Sequence, residues 1–153
     1  MKKSKLILFA SFKPFISNPH AGALEEQGFS VVRYLDSGEM LEHLKRCGQN
    51  EPLLAVFGDM LRHGKEFSDS ETYHGLATGV SLYRRVRDQH AHAARANLPV
   101  VILYTQRYIE RMLENEVGSD PNLLLIREGS FDSREKLDSK EILVEHAKKL
   151  LGQ

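Results

Sequence analysis

Five short apolar runs constrain the fold of this chain more than any other feature. Lys5 to Ala10 (KLILFA), Pro52 to Gly58 (PLLAVFG), Leu98 to Tyr104 (LPVVILY) and Leu123 to Ile126 (LLLI) are continuous rather than alternating. Strands with that pattern are covered on both faces, as they are inside a parallel sheet. Phe29 to Tyr34 (FSVVRY) is a further strand candidate.

Helical signals separate the runs. Asn18-Pro19 reads as an N-cap with proline in the first turn, opening a helix that ends near Gln27 and stops at Gly28. Ser37 to Arg46 places Met40, Leu41 and Leu44 on one face. Val80 to His90 groups Val80, Tyr83 and Val86, and Gln106 to Val117 groups Ile109, Met112 and Leu113. Asp120-Pro121-Asn122 is a turn, and Ser139 opens a last helix reaching about Leu150. Strict β-α alternation predicts an α/β fold with helices on both faces and right-handed crossovers. Five strands at this length suit a flavodoxin-like five-stranded parallel sheet of order 2-1-3-4-5.

At 153 residues the chain is expected to be one domain. Its 21 basic and 21 acidic side chains cancel, which argues against a nucleic-acid coat. A single cysteine, Cys47, excludes an internal disulfide framework and a cysteine-based zinc site, and it lacks a partnering base motif. No apolar run reaches membrane-spanning length, and Leu6 to Ala10 is too short for a signal peptide, so the expected address is the cytoplasm. His90 and His92 read as solvated loop residues. Gly75, Thr78 and Gly79 form no phosphate loop, because no Gly-Lys-Ser/Thr follows.

Ligands of open α/β sheets sit beyond the carboxyl ends of the strands. The residues there are Ala10, Ser11, Gly58, Asp59, Thr105, Arg127 and Glu128. Asp59 supplies a carboxylate, Thr105 a hydroxyl able to bond an anion, and Arg127 a cation of fixed fork geometry. The three are expected to converge on one pocket.

The apolar strand ending at Asp59, the helix Gly79-Val80-Ser81-Leu82-Tyr83-Arg84-Arg85-Val86-Arg87, the run Leu98 to Thr105 and the stretch Gly28 to Val32 together make the chain resemble a response-regulator receiver domain, the CheY-like family. The resemblance covers nearly all of residues 1–153, as a single receiver-like domain with an extended loop at about 62–78. It implies that Asp59 holds the phosphoacceptor position and Thr105 the switch hydroxyl. The acidic pair that holds Mg²⁺ in that family maps onto Ala10 and Ser11, and the lysine after strand five onto Arg127. With both carboxylates replaced, the chain resembles a degenerate pseudo-receiver, expected to bind no cofactor. Mg²⁺ enters only if Asp59 is a phosphoacceptor with atypical ligation.

The expected function is signal transduction by protein–protein contact, without enzymatic activity, with a signalling kinase or output protein as partner. The resemblance implies a surface, also suited to a homodimer, made of helix four, strand five and helix five. Arg107 to Glu116 would supply mixed charge and an apolar stripe to it. Asp59 is expected to pair with Arg127, or with Lys13. Arg84, Arg85, Arg87 and Arg95 read as a solvated helix face. The alternatives are a genuine phosphoacceptor, and a small-ligand binder or enzyme with the polar 62–78 loop as a mobile lid; a bound molecule or a sizeable apolar pocket under that loop would favour the ligand binder.

Overall fold

The computed structural model describes residues 4–12, 18–46, 52–88, 97–134 and 136–152. Lys13, Cys47, His90, His92 and Arg95 lie outside them. Each of the five apolar runs forms a strand: β1 (Leu6–Ala10), β2 (Ser30–Tyr34), β3 (Leu54–Gly58), β4 (Val100–Tyr104) and β5 (Leu123–Arg127). They build one parallel sheet in the order β2-β1-β3-β4-β5. Ile7 stands opposite Leu54, Val56 opposite Val101, and Leu103 opposite Ile126.

The helices are α1 (Pro19–Glu26), α2 (Ser37–Arg46), α3 (Thr78–Asp88), α4 (Tyr108–Met112), α5 (Glu114–Ser119) and α6 (Ser139–Leu151). Side chains alternate across the sheet into two cores. Leu8, Ala55, Phe57, Val100 and Ile102 meet Met40 and Leu44 of α2, Val80 and Val86 of α3, and Ile109 of α4. On the opposite face Ile7, Phe9, Val56, Val101 and Leu103 meet Leu24 of α1 and Leu143 of α6. This two-sided burial is why the strands need continuous apolar runs. No helix among the described residues is long and apolar enough to cross a membrane.

The caps follow the local sequence. The Asn18 side chain accepts from the N–H groups of His20 and Ala21 at 2.9 and 3.3 Å, and Gly28 takes the left-handed conformation, φ +91°, just beyond α1. Asp138 and Glu141 form a capping box at the start of α6.

Two features depart from expectation. The helix predicted over 106–117 is bent at Leu113 into α4 and α5. The bonds Leu113 N–H to Ile109 O and Val117 N–H to Leu113 O run through the bend. The Met112 carbonyl between them is taken by Arg84 Nη2 at 2.9 Å, and a side chain entering the helical ladder bends a helix. A two-stranded antiparallel sheet, β6 (Phe131–Asp132) with β7 (Leu137–Asp138), also stands between β5 and α6. Two-residue strands leave no periodicity to read.

Of the arginines of α3 expected on a solvated face, Arg84 is exposed, while Arg85 and Arg87 are partly covered. Arg84 also pairs with Glu116, and Arg85 lies over the Phe67 ring and donates to Glu66 O. Arg87 pairs with Asp120 at 2.8 Å and lies over the Tyr83 ring. Burial acts to raise the Asp120 pKa, but the bonds from Tyr83 and Arg87 prevail and hold it below its ordinary value.

One buried polar contact ties three elements together. His20 Nε2 of α1 lies 2.8 Å from Ser139 Oγ of α6, and Ser139 Oγ accepts from the Gly129 N–H after β5 at 3.2 Å. That arrangement suits a neutral ring. Burial, then the charge of Lys140, lowers the His20 pKa, against an opposing pull from Asp138. The unfolded chain, with the ordinary value of 6.5, therefore takes up this proton first as pH falls, and the native state loses stability below that pH. Urea midpoints are expected to decline between pH about 7.5 and about 5.5. His20→Gln should remove part of the decline, and His43 and His146, whose pKa values are also lowered, should retain the rest.

Candidate functional site

Asp59 leaves the end of β3 with its N–H bonded to Leu103 O of β4 at 3.1 Å. The residue is only 4% exposed, and its carboxylate turns toward the end of β4. Oδ2 accepts from the Thr105 N–H at 2.9 Å, the Thr105 Oγ1–H at 3.1 Å and the Gln106 N–H at 3.2 Å. Oδ1 accepts from the Met60 N–H at 2.9 Å. A buried carboxylate is costly unless bonded, and bonds to a charged acceptor are stronger than neutral ones. Here the charge is spread over three backbone amides and one hydroxyl.

Glycine makes this geometry accessible. A Cβ on Gly79 would lie 2.0 Å from Gly58 O, so only glycine lets α3 settle on the end of β3. The Gly79 N–H then donates to Asp59 O at 3.2 Å. Asp59 thus engages α3 through its backbone and the turn before α4 through its side chain.

The other strand-end residues divide. Ala10 and Ser11 are buried behind Gly58, and a Cβ on Gly58 would meet Ser11 Oγ at 3.1 Å. Arg127 does not join the group. It is exposed, stands in register with Tyr104 rather than Thr105, and forms no ion pair with Asp59. The expected Asp59–Arg127 pair is therefore corrected: neutral donors within 3.2 Å already satisfy the carboxylate. Arg127 instead acts at a distance on Tyr104, whose phenol donates to Glu110. Burial and that bond push the Tyr104 pKa up to about 12, against the opposing charge of Arg127.

The donor set does not fit Mg²⁺. That ion requires near-octahedral oxygen ligation, usually with one or two carboxylates. Ala10 offers no side-chain donor, Ser11 offers one neutral hydroxyl, and the Asp59 oxygens already accept four hydrogen bonds. The described residues contain no group of three or more acidic, histidine or cysteine side chains able to hold a metal ion.

Sequence reasoning missed the Met60 and Gln106 amides and Tyr108. Backbone donors leave no mark in a residue type, but Tyr108 stands three residues after Thr105, within reach of the same turn. Its hydroxyl donates to Leu76 O at 2.9 Å. Burial, then the charge of Asp59, raises its pKa.

The 62–78 segment, expected as a polar loop, carries buried side chains and bonds to its neighbours. Phe67, Thr72 and Ala77 are buried. Glu66 accepts from Ser37 Oγ at the start of α2 and from the Gly64 N–H at 2.9 Å. Burial opposes, but these bonds hold the Glu66 pKa below its ordinary value. Ser81 Oγ of α3 donates to Glu71 O at 3.0 Å.

No family model and no curated protein matches the chain. Solved structures do. The chain is similar to the signal receiver domain of a signal transduction histidine kinase from Syntrophus aciditrophicus, with a TM-score of 0.64 and 18% identity over 96% of this chain and 89% of that one. It is similar to the receiver domain of NtrX from Brucella abortus, with a TM-score of 0.61 and 20% identity over 96% and 98% of the two chains. A Francisella response regulator receiver domain gives a TM-score of 0.61 and 20% identity over 96% of each chain. The fold is that of a CheY-like receiver.

Asp59→Ala should leave three N–H groups and a hydroxyl without their acceptor and destabilise the protein by about 2–4 kcal/mol. Arg127→Ala, at an exposed site, should change stability by less than about 0.5 kcal/mol. Urea denaturation of the two variants checks both values.

Proposed function

We propose that this chain is a signal-transduction module of receiver type that acts through protein contact and does not depend on phosphorylation of Asp59. The observation that carries the reading is the occupancy of the Asp59 carboxylate. In the family the chain resembles, the strand-four hydroxyl bonds the incoming phosphoryl group. Here Thr105 Oγ1 and the two amides after β4 already bond the unmodified carboxylate. The end of β4 is thereby held in one arrangement by a side chain already present in the unmodified protein. Poor Mg²⁺ ligation agrees with this, since phosphoryl transfer relies on that ion for charge neutralisation.

The partner is a signalling kinase or an output protein. The contact face combines α4, α5, β5 and α6. The apolar stripe of 106–117 does not serve it, because Ile109 and Leu113 are buried in the core. Tyr108, Val117 and the edge of β5 supply the exposed surface instead. The same face suits a homodimer.

A phosphoacceptor Asp59 is favoured by one observation, the single bond at Oδ1 against three at Oδ2. The two readings separate on treatment with acetyl phosphate and Mg²⁺. Intact-mass analysis should find no phosphoaspartate, and Asp59→Asn should capture the native partner as well as the wild type does. A stoichiometric phosphoryl adduct at Asp59, with partner capture lost in a folded Asp59→Asn protein, would establish the phosphoacceptor instead.

A further inference from the structure

The order β2-β1-β3 makes the gap between β1 and β3 the point where successive connections leave the sheet in opposite directions, and open α/β sheets bind ligands in that crevice. Phe12, one residue past Ser11, and Met60, one past Asp59, flank the gap, joined by the bond Phe12 N–H to Met60 O at 3.4 Å. Beside them opens a cleft of about 580 Å³. Phe12, Met60, Leu61 and Leu76 give it apolar walls, and Arg62 and His74 contribute cationic or hydrogen-bonding groups.

Two of the wall residues are unusually wet for their type, Phe12 at 46% and Leu76 at 48% exposed, while Leu61 is buried at the base. No carboxylate is among the described residues lining the cleft. His63, which also lines it, is already engaged, with Nε2 3.0 Å from Asp69 Oδ1 and Nδ1 3.2 Å from Gly64 O. The side chains of Arg62 and His74 have no hydrogen-bond or ion-pair partner among the described residues.

The far wall comes from a costly piece of backbone. Tyr73, His74 and Gly75 all have positive φ, at 52°, 56° and 88°. Two non-glycine residues in this region are disfavoured and persist only when the surroundings hold them. Here His74 N–H donates to Asp69 O at 2.8 Å and Ala77 N–H to Thr72 O at 2.9 Å, bracing the turn from both sides. The turn brings His74 and Leu76 opposite Phe12 and Met60.

A concave apolar site with a few placed polar groups is the usual form of a small-molecule pocket, and this volume lies in the usual range. We propose that the cleft binds a small organic carboxylate with an apolar body, an aromatic or medium-chain acid. The hydrocarbon part lies between Phe12, Met60, Leu61 and Leu76, and the carboxylate is paired by Arg62 with His74 beside it. Guanidinium meets carboxylate in matched fork geometry, which selects an anion over its neutral analogue. The inference goes beyond the signalling reading and is independent of whether Asp59 is phosphorylated. It places a chemical input where the resembled family places its acidic pocket.

The full chain is titrated with octanoate and 4-phenylbutyrate, and with octanamide as the neutral control, by calorimetry and by amide chemical shifts. The expected result is saturable binding of at least one carboxylate, with shifts centred on residues 60–62 and 74–76. Octanamide and the Arg62→Gln variant should each reduce affinity by roughly tenfold, the value of one charge-assisted bond. Leu76→Glu, at an exposed position that leaves the fold intact, should abolish binding of all three compounds. The proposal is overturned if neither carboxylate saturates below about 10 mM, a range that still reports very weak complexes. Equal affinity for octanoate and octanamide with Arg62→Gln unaffected overturns it as well. So does capture of an acidic, leucine-rich peptide in the cleft without binding of either free carboxylate, which would make the cleft a protein-docking surface.

Discussion

The carboxylate of Asp59 is the constraint on which the upper end of the molecule depends. It is taken out of water at the mouth of a central strand, so it must be bonded wherever the chain can bond it. The donors it finds are those that end β4: the Thr105 and Gln106 amides and the Thr105 hydroxyl. Those bonds fix the turn from which α4 starts. The carbonyl of the same residue receives Gly79 and seats α3. Tyr108 then reaches from α4 to Leu76 and joins the segment between β3 and α3 to the assembly. A charge compensated by neutral groups in a water-poor site is little affected by salt, unlike a surface ion pair.

Sequence reasoning reached the features that are local. Continuous apolar runs report strands covered on both sides, and Asn18-Pro19 and Gly28 report helix ends, because the responsible atoms lie within a few residues of one another. It also placed Asp59 and Thr105 at adjacent strand ends, since strand order and length determine that much. It misassigned the partner of Asp59. Reasoning from residue type looks for an opposite charge at a strand end, but Arg127 ends β5, two strands from β3, with β4 between them. The backbone amides that take its place exist at every non-proline position and so carry no signal.

The same blindness explains the bend between α4 and α5. Its cause is Arg84, twenty-eight residues before Met112, and nothing in the periodicity of 106–117 records an arginine arriving from another helix. The buried role of Phe67 was hidden for a related reason. A single buried aromatic side chain in a polar stretch has no period, yet Phe67 joins the core beneath Arg85.

The anchors of that segment are to helices and to itself: Glu66 to the start of α2, Glu71 to α3, Leu76 to Tyr108. Closing a longer loop costs little in chain entropy, about 0.6 kcal/mol for each doubling of its length. A parallel sheet of this order can therefore carry a long connection between its third strand and third helix without changing its pairing. Such growth is cheap to acquire and does not disturb what lies beneath it. In evolutionary terms, this corner of the fold is open ground, where new surface can accumulate around an old framework.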